Sequence, residues 1–408
     1  MRCSHCKDKL NIIFVDLGSM PLSNAYLAPV DLVKPEKIYP LRVMVCEKCW
    51  LVQTEKFIEA DQIFSRDYTY FSSFSTSWLN HVRKYIDQVV PMLALNSSSS
   101  IVEIGANDGY LLQYVQEKNI PCYGVEPAHA ARLLAQERGL NVVGGFFGAE
   151  KAEELIDKKG QADLIIANNV LAHVPDINDF VKGFSILLKP NGVATFEFPH
   201  ILNLVHLDQF DTIYREHYSY LSLVATCNVF EPNNLAIFRV EELPTHGGSL
   251  RVYAQRMDSG KHPLDPSVGV LMKKEINIGI MTTSFYSGFE DRVSIIRSTV
   301  NSFLQSAKKE GKKIVGYGAA AKGNTFLNFC GINSNLISYV IDHNPAKQNK
   351  FLPGSRIPIL SEDRLRLDQP DYVLIFPWNI KQEIIEQLSY IRAWNGKFLT
   401  FVPELMVE

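Results

Sequence analysis

Two stretches of the chain, "SIVEIGANDGYLLQYVQEK" at 100–118 and "KKIVGYGAAAKGNTFLNFCGI" at 312–332, each read as an apolar strand, a glycine turn and a helix. A strand that is apolar along its whole length has to be covered on both faces, and a tight turn delivers the covering helix at once. The pattern demands an α/β fold built on parallel sheets, and its recurrence late in the chain demands two of them. After the first stretch the alternation continues through "CYGVEPAH", "ADLIIANNVLAHVPD" and "NGVATFEFPH". "FRVEELPTHGGSLRVYAQR" then reads as a closing antiparallel hairpin with "HGG" near its turn. At 408 residues the chain exceeds one ordinary core, so two or three domains are expected.

The breaks between these patterns divide the chain. "LALNSSSS" follows an amphipathic helix starting near Ser75, and "DSGKHPLDPSVG" reads as a linker before a long helix through "FEDRVSIIRSTVNSFL". The expected division is a small domain over 1–70, a first α/β domain over 71–260 and a second over 261–408. A formal net charge of −3 and a pI near 6.4 give no basic field for a phosphate backbone, so nucleic acid is not an expected partner. The start "MRCSHCKDKL" has no apolar leader, and no run reaches the roughly 18 apolar residues of a bilayer span; no membrane association and a cytoplasmic location are expected.

Cys3 and Cys6 form one CxxC pair and Cys46 and Cys49 another, thirty-nine residues apart. Each pair brings two thiolates to one side of a knuckle, and two knuckles close a tetrahedron around Zn²⁺. A closed Cys₄ site has no open coordination position, so its expected role is structural.

The first glycine turn does not fit the spacing GxGxxG. "VEIGANDG" is similar to the E/DxGxxxG turn of class I S-adenosylmethionine (SAM) methyltransferases, which makes Glu103, Gly105, Asn107, Asp108 and Gly109 candidates for the cofactor site. Glu126 ends the next strand, where an acid accepts from both ribose hydroxyls of an adenosine. Phe146 or Phe147 of "GGFFG" is a candidate cover for adenine, and a core role fits either equally well. The second turn does fit a dinucleotide fingerprint, with Gly316, Gly318 and Ala321 after the strand and Asp342 closing the next one, and taken alone it suggests NAD. Lys322 inside that turn suits a diphosphate, and a glycine-rich helix start binds any pyrophosphate.

"TIYREHYSYLS" at 212–222 carries too few apolar residues for a core element and many groups that are costly to bury unpaired. Tyr214, Glu216 and His217 lie within four residues, and a histidine beside a carboxylate is a candidate base tuned near neutral pH. A bare Glu–His pair is more often structural.

Over essentially its whole length the chain resembles the sugar C-methyltransferases that branch nucleotide-linked 4-keto-6-deoxy sugars. The resemblance rests on the CxxC/CxxC domain, "VEIGANDGYLL", "NNVLAHVPD", "FDTIYREHYSYLSL", "THGGSLRVY" and "GYGAAAKGNTFLN", in that order. It implies a zinc-binding domain, a SAM domain and a carboxy-terminal Rossmann-like domain around a dTDP-sugar, with the histidine of YxEH as base. On this chain that histidine is His217, beside Glu216 and Tyr214. Tyr68, His173 and Asn169 are implied as further active-site groups, and Asn168 joins the cofactor set. Arg215 and Tyr218 depart from the commoner YHEHLSYFS form. His246 is a candidate for substrate contact, with a plain hairpin turn as the alternative. Lys322, Asn324, Asn344 and Lys347 are candidates for the diphosphate and base, with solvation as the alternative for Lys347.

The resulting expectation is SAM-dependent methylation of carbon, C-3, next to the 4-keto group. His217 removes the proton, Glu216 orients it or holds a sugar hydroxyl, and Tyr214 or Tyr68 donates to the C-4 oxygen. Two alternatives stand beside it: a nicotinamide-dependent sugar oxidoreductase resting on the second turn, and a zinc-ribbon scaffold without activity.

Overall fold

The computed structural model describes residues 1–55 and 71–408, which fall into two compact units. The first comprises Met1–Ile12, Val45–Leu202 and Tyr218–Phe285; the second comprises Ile13–Met44, Asn203–His217 and Tyr286–Glu408.

The first unit is built on a seven-stranded sheet. Its strands are β1 (Ile101–Ile104), β2 (Cys122–Glu126), β3 (Val142–Gly144), β4 (Ala162–Asn168), β5 (Leu188–Pro199), β6 (Leu235–Leu243) and β7 (Ser249–Arg256). They run in the order β6-β7-β5-β4-β1-β2-β3, with β1 to β5 parallel and β7 antiparallel to both its neighbours. This is the class I methyltransferase order, and the expected closing hairpin is β6–β7. Helix α1 (Thr76–Met92) starts at Ser75, whose hydroxyl accepts from the Trp78 amide as an N-cap. Val82, Tyr85, Ile86 and Val89 recur on one face of α1 and bury against Ile101, Leu164, Ile166 and Val193 of the sheet.

In the parallel register Ile104 lies beside Val125, Glu103 beside Ile166 and Asn168 beside Glu197. The carboxyl ends of four strands thus form one rim, where ligands of open α/β sheets bind. The stretch read as a linker turns helical at Pro266–Ile278: proline at the first turn and Asp265, accepting from the Ser267 amide, are helix-start signals that resemble turn residues when isolated.

The second unit holds a six-stranded sheet of β8 (Ile314–Tyr317), β9 (Val340–Ile341), β10 (Ile359–Leu360), β11 (Tyr372–Ile375), β12 (Lys397–Thr400) and β13 (Met406–Val407). The order is β10-β9-β8-β11-β12-β13, parallel except for β13. The long helix α2 (Phe289–Lys309) and α3 (Ala321–Cys330) belong to this unit. Segments distant in sequence join it. Phe14 stacks on Phe289 at 4.5 Å, the Leu27 amide donates to the Phe351 carbonyl, and the Thr325 hydroxyl donates to the Ile213 carbonyl. No helix among the described residues is long and apolar enough to cross a membrane.

Candidate active site

In the first unit, the Sγ atoms of Cys3, Cys6, Cys46 and Cys49 all lie within 4.8 Å of one another. That is the span of a tetrahedral thiolate set, and the Gln53 side chain donates to Cys3 Sγ at 3.3 Å as a partner to the sulfur charge. The four predicted ligands therefore converge, and the residues present fit Zn²⁺.

The first glycine turn leaves β1 at Gly105. Gly105 and Gly109 have φ of +72° and +79°, and a Cβ on either would strike Val170 or Leu140. Both positions therefore require glycine. Asn107 also has positive φ, and its side-chain carbonyl accepts from the Ser72 amide. Asp108 is fully buried: Oδ2 accepts from the Ser73 hydroxyl at 2.5 Å and faces Arg138 at 3.4 Å, while Oδ1 has no partner among the described residues. At the end of β4 both side-chain polar atoms of buried Asn168, and Asn169 Oδ1, have no partner among the described residues. Buried polar atoms without partners are costly in an empty protein and are satisfied by a ligand. Acceptors and donors on this rim fit the amino and carboxylate groups of the SAM methionyl moiety.

Glu126 ends β2 on the same rim. Its two oxygens accept from the Asn107 amide at 2.8 Å and the Ala128 amide at 2.7 Å, so it fixes the turn. Each oxygen keeps a second lone pair, which suits ribose hydroxyls. Burial pushes its carboxyl up to about 7. Burial also raises the Glu103 carboxyl well above the usual range, against the pull of the Tyr110 hydroxyl. Of the two phenylalanines, Phe147 meets Phe180 and Phe184 edge-on, whereas Phe146 is exposed. His173 ends a short helical turn after β4, and His246, with φ of +53°, sits at the β6–β7 turn 5.1 Å from the Trp78 ring. Sequence reasoning missed a charged cluster here: Glu197 is fully buried between His81, Thr245 and Arg251, and they hold its carboxyl down at about 2 against burial.

In the second unit, residues 211–217 are buried except for partly exposed Tyr214, and Asp211, Thr212, Glu216 and His217 each make a side-chain hydrogen bond. His217 Nδ1 lies 2.8 Å from the Thr212 carbonyl. A carbonyl only accepts, so Nδ1 carries the proton and the neutral ring has its lone pair on Nε2. The Tyr214 ring lies 4.0 Å from the imidazole. Glu216 Oε1 accepts from the Asn24 side chain at 2.9 Å, while Oε2 is buried without a partner among the described residues, and burial raises the carboxyl. Tyr68 lies outside the described residues.

The second glycine turn is occupied by the protein itself. A Cβ on Gly318 would meet the Pro377 ring at 2.6 Å, and on Gly316 or Gly323 the Phe376 ring. Asp342 accepts from the Ala319 and Asn344 amides, with Lys347 Nζ at 3.4 Å. Lys347 also donates to the Ala319 carbonyl at 2.8 Å, and Asn344 caps the Ala346 amide, so neither is a solvated surface group. Lys322 donates to Asn379 and lies over the Trp378 ring; burial lowers its ammonium to about 8, against the opposing pull of Asp211. Asp211 accepts from Trp378 Nε1 at 2.6 Å, and burial raises it to about 6. Asn324 donates to the Ser23 carbonyl, and its Oδ1 is unpartnered.

Comparison with known proteins agrees with this layout. Residues 3–64 match the family model described as "Putative zinc binding domain", 78–240 a methyltransferase domain and 244–403 a C-methyltransferase C-terminal domain. The C-methyltransferase NovU of Streptomyces niveus is 35% identical over 98% of this chain and 94% of its own length. A ubiquinone biosynthesis O-methyltransferase of Colwellia psychrerythraea is 28% identical over 24% of this chain and 40% of its own. Among solved structures, magnesium protoporphyrin IX methyltransferase of Synechocystis with bound SAM covers 50% of this chain and 100% of its own, at 16% identity and a TM-score of 0.35.

Proposed function

We propose a specific reaction for this chain, which belongs to the family of SAM-dependent C-methyltransferases: methylation at C-3, α to the 4-keto group of a dTDP-linked 6-deoxy sugar. The observation that supports it most is the fixed tautomer of His217, whose Nδ1–H is held by the Thr212 carbonyl at 2.8 Å. A C–H bond beside a ketone is removed by a base of near-neutral pKa, and this ring presents Nε2 for that task. As the proton arrives the same carbonyl holds the imidazolium. Glu216 Oε2, buried and without a partner among the described residues, accepts from a sugar hydroxyl. Tyr214, stacked beside His217, or Tyr68 donates to the C-4 oxygen where enolate charge develops. The rim residues Asp108, Asn168 and Glu126 hold SAM, which when bound supplies an electrophilic sulfonium methyl. His173, Asn169 and His246 are assigned to the sugar, and Lys322, Asn324, Asn344 and Lys347 to the nucleotide and its diphosphate.

The test isolates proton removal. With S-adenosylhomocysteine in place of SAM and a dTDP-4-keto-6-deoxy sugar in D₂O, wild-type protein exchanges the α proton. His217→Asn retains ligand binding and loses the ~10²–10⁴-fold typical of a general base. Exchange by His217→Asn at the wild-type rate transfers the role to Tyr214 or Tyr68.

A further inference from the structure

Glu216 is the most exacting group in the 211–217 stretch. It is a carboxylate only 2% exposed, with one oxygen held and the other unpartnered among the described residues. The group that holds it comes from nearly two hundred positions earlier: Asn24 Nδ2 donates to Oε1 at 2.9 Å. The orientation of this amide is set by the carboxylate, which only accepts. The Tyr26 hydroxyl donates to the Ala319 carbonyl at 2.6 Å and lies 3.3 Å from Asn24 Oδ1. A flipped amide would set its oxygen against the carboxylate, so the arrangement admits one orientation.

The backbone around Asn24 is anchored as well. The Ser23 carbonyl accepts from the Asn324 side chain in α3, and Tyr26 is tied to the turn that precedes the same helix. Residues 23–26 therefore span from the glycine turn to the Glu-His pair within one unit. We propose that Asn24 is a positioning residue for Glu216: by donating to Oε1 it holds that oxygen and leaves Oε2 to face the substrate. The proposal rests on the reading of Glu216 as the substrate-holding carboxylate. Burial raises Glu216 and hydrogen bonds from Asn24 oppose that rise, with Arg215 acting in the same sense. Among the described residues Tyr26 adjoins the pair, and Lys347 and Asp342 in turn act on Tyr26. Tyr26 is itself pushed up by burial, and Lys347 pulls the other way.

The test is a swap. In Asn24→Asp two carboxyl groups share one hydrogen-bond distance and so compete for a proton. The acid limb of kcat should move to higher pH and kcat should fall ~10-fold or more near neutrality. KM for SAM should stay unchanged, because Asn24 is assigned no part in the cofactor site. Glu216→Gln alone should be slow at every pH. Combined with it, Asn24→Asp should cost nothing further, because a carboxylate at 24 accepts from the amide at 216 and the hydrogen bond is restored with its partners exchanged. Asn24→Ala, read in the same assays, covers the case in which Asn24→Asp does not fold; its acid limb should also move up. A wild-type pH profile in the Asn24 variants, or additive losses in the double variant, overturns the positioning role while leaving Glu216 in place. Wild-type turnover by Glu216→Gln removes the reading on which the proposal rests, and the proposal with it.

Discussion

The two glycine turns have the same grammar and differ in which of their polar groups the protein satisfies. Each follows the first strand of a parallel sheet, opens a helix and is faced by an acid at the end of the next strand, Glu126 in one case and Asp342 in the other. At the second turn the acid is answered by the protein, while Asn324 Oδ1 in the helix that follows has no partner among the described residues. Pro377 and Phe376 fill the space over the glycines, and Asp342 is met by two amides and Lys347. At the first turn the glycines are again explained by neighbours, Val170 and Leu140, yet Asp108 Oδ1 and the Asn168 amide are left over. Glycines therefore show where backbone comes close to something. Buried polar atoms left over beside them mark where a further partner is needed.

The largest effect that tests this contrast is at Asp108. In Asp108→Asn the amide oxygen stays with Ser73 and Arg138, which both donate, so the NH₂ takes the unpartnered side and faces any ligand cation with a donor. Losing a charge-assisted hydrogen bond costs about 1.5–3 kcal/mol, so SAM affinity by calorimetry should fall roughly 10- to 100-fold. Unchanged affinity would mean that the leftover atoms at the first turn are not a cofactor site.

A smaller effect is expected in the pH dependence at Glu126. Its carboxyl sits at about 7 because of burial, and ribose hydroxyls donate best to the ionised form. Below that pH, binding SAM requires loss of a proton; affinity should therefore weaken by up to about tenfold per pH unit as pH falls through 7, and be flat above it. Glu126→Gln should flatten the profile. It keeps an oxygen for one of the two amides and sets its NH₂ against the other, whereas Glu126→Ala removes both acceptors and loosens the turn itself.

The smallest effect belongs to Asp342. Asp342→Asn should leave SAM affinity unchanged and lower Tm by about 2–4 °C through the weakened tie to Lys347. NADH should not bind wild-type protein; saturable NADH binding that Asp342→Asn abolishes would reverse the contrast between the turns.

The alternation of strands and helices was legible because burial on both faces imposes long apolar strands, and the Cys₄ site was legible because metal geometry imposes spacing. The pairing of Glu216 with Asn24 was not. An asparagine in "PLSN" carries the ordinary signature of a turn, and only the tertiary fold brings it to a carboxylate in another segment. The choice between Phe146 and Phe147 was equally hidden, since adjacent residues of one type differ only in which way the backbone points them. Glu126 was singled out as the acid that ends its strand, but its grip on two amides depends on how the chain leaves β1 and β2. Asp265 and Pro266 were legible as a helix start and were read as a linker, because their glycine and proline neighbours dominated the window.

The four cysteines lie at the two ends of residues 13–44, a stretch that packs with Asn203–His217 and Tyr286–Glu408. During synthesis that stretch leaves the ribosome long before its partners, and at ~5–20 residues per second the wait is on the order of tens of seconds. A metal shared by Cys3, Cys6, Cys46 and Cys49 would close the stretch into a loop early in this interval, prepaying a closure entropy of about 3 kcal/mol. The segment bearing Asn24 would then search for its place as a tethered loop, and loss of the metal would show first as slow, error-prone assembly of the second unit.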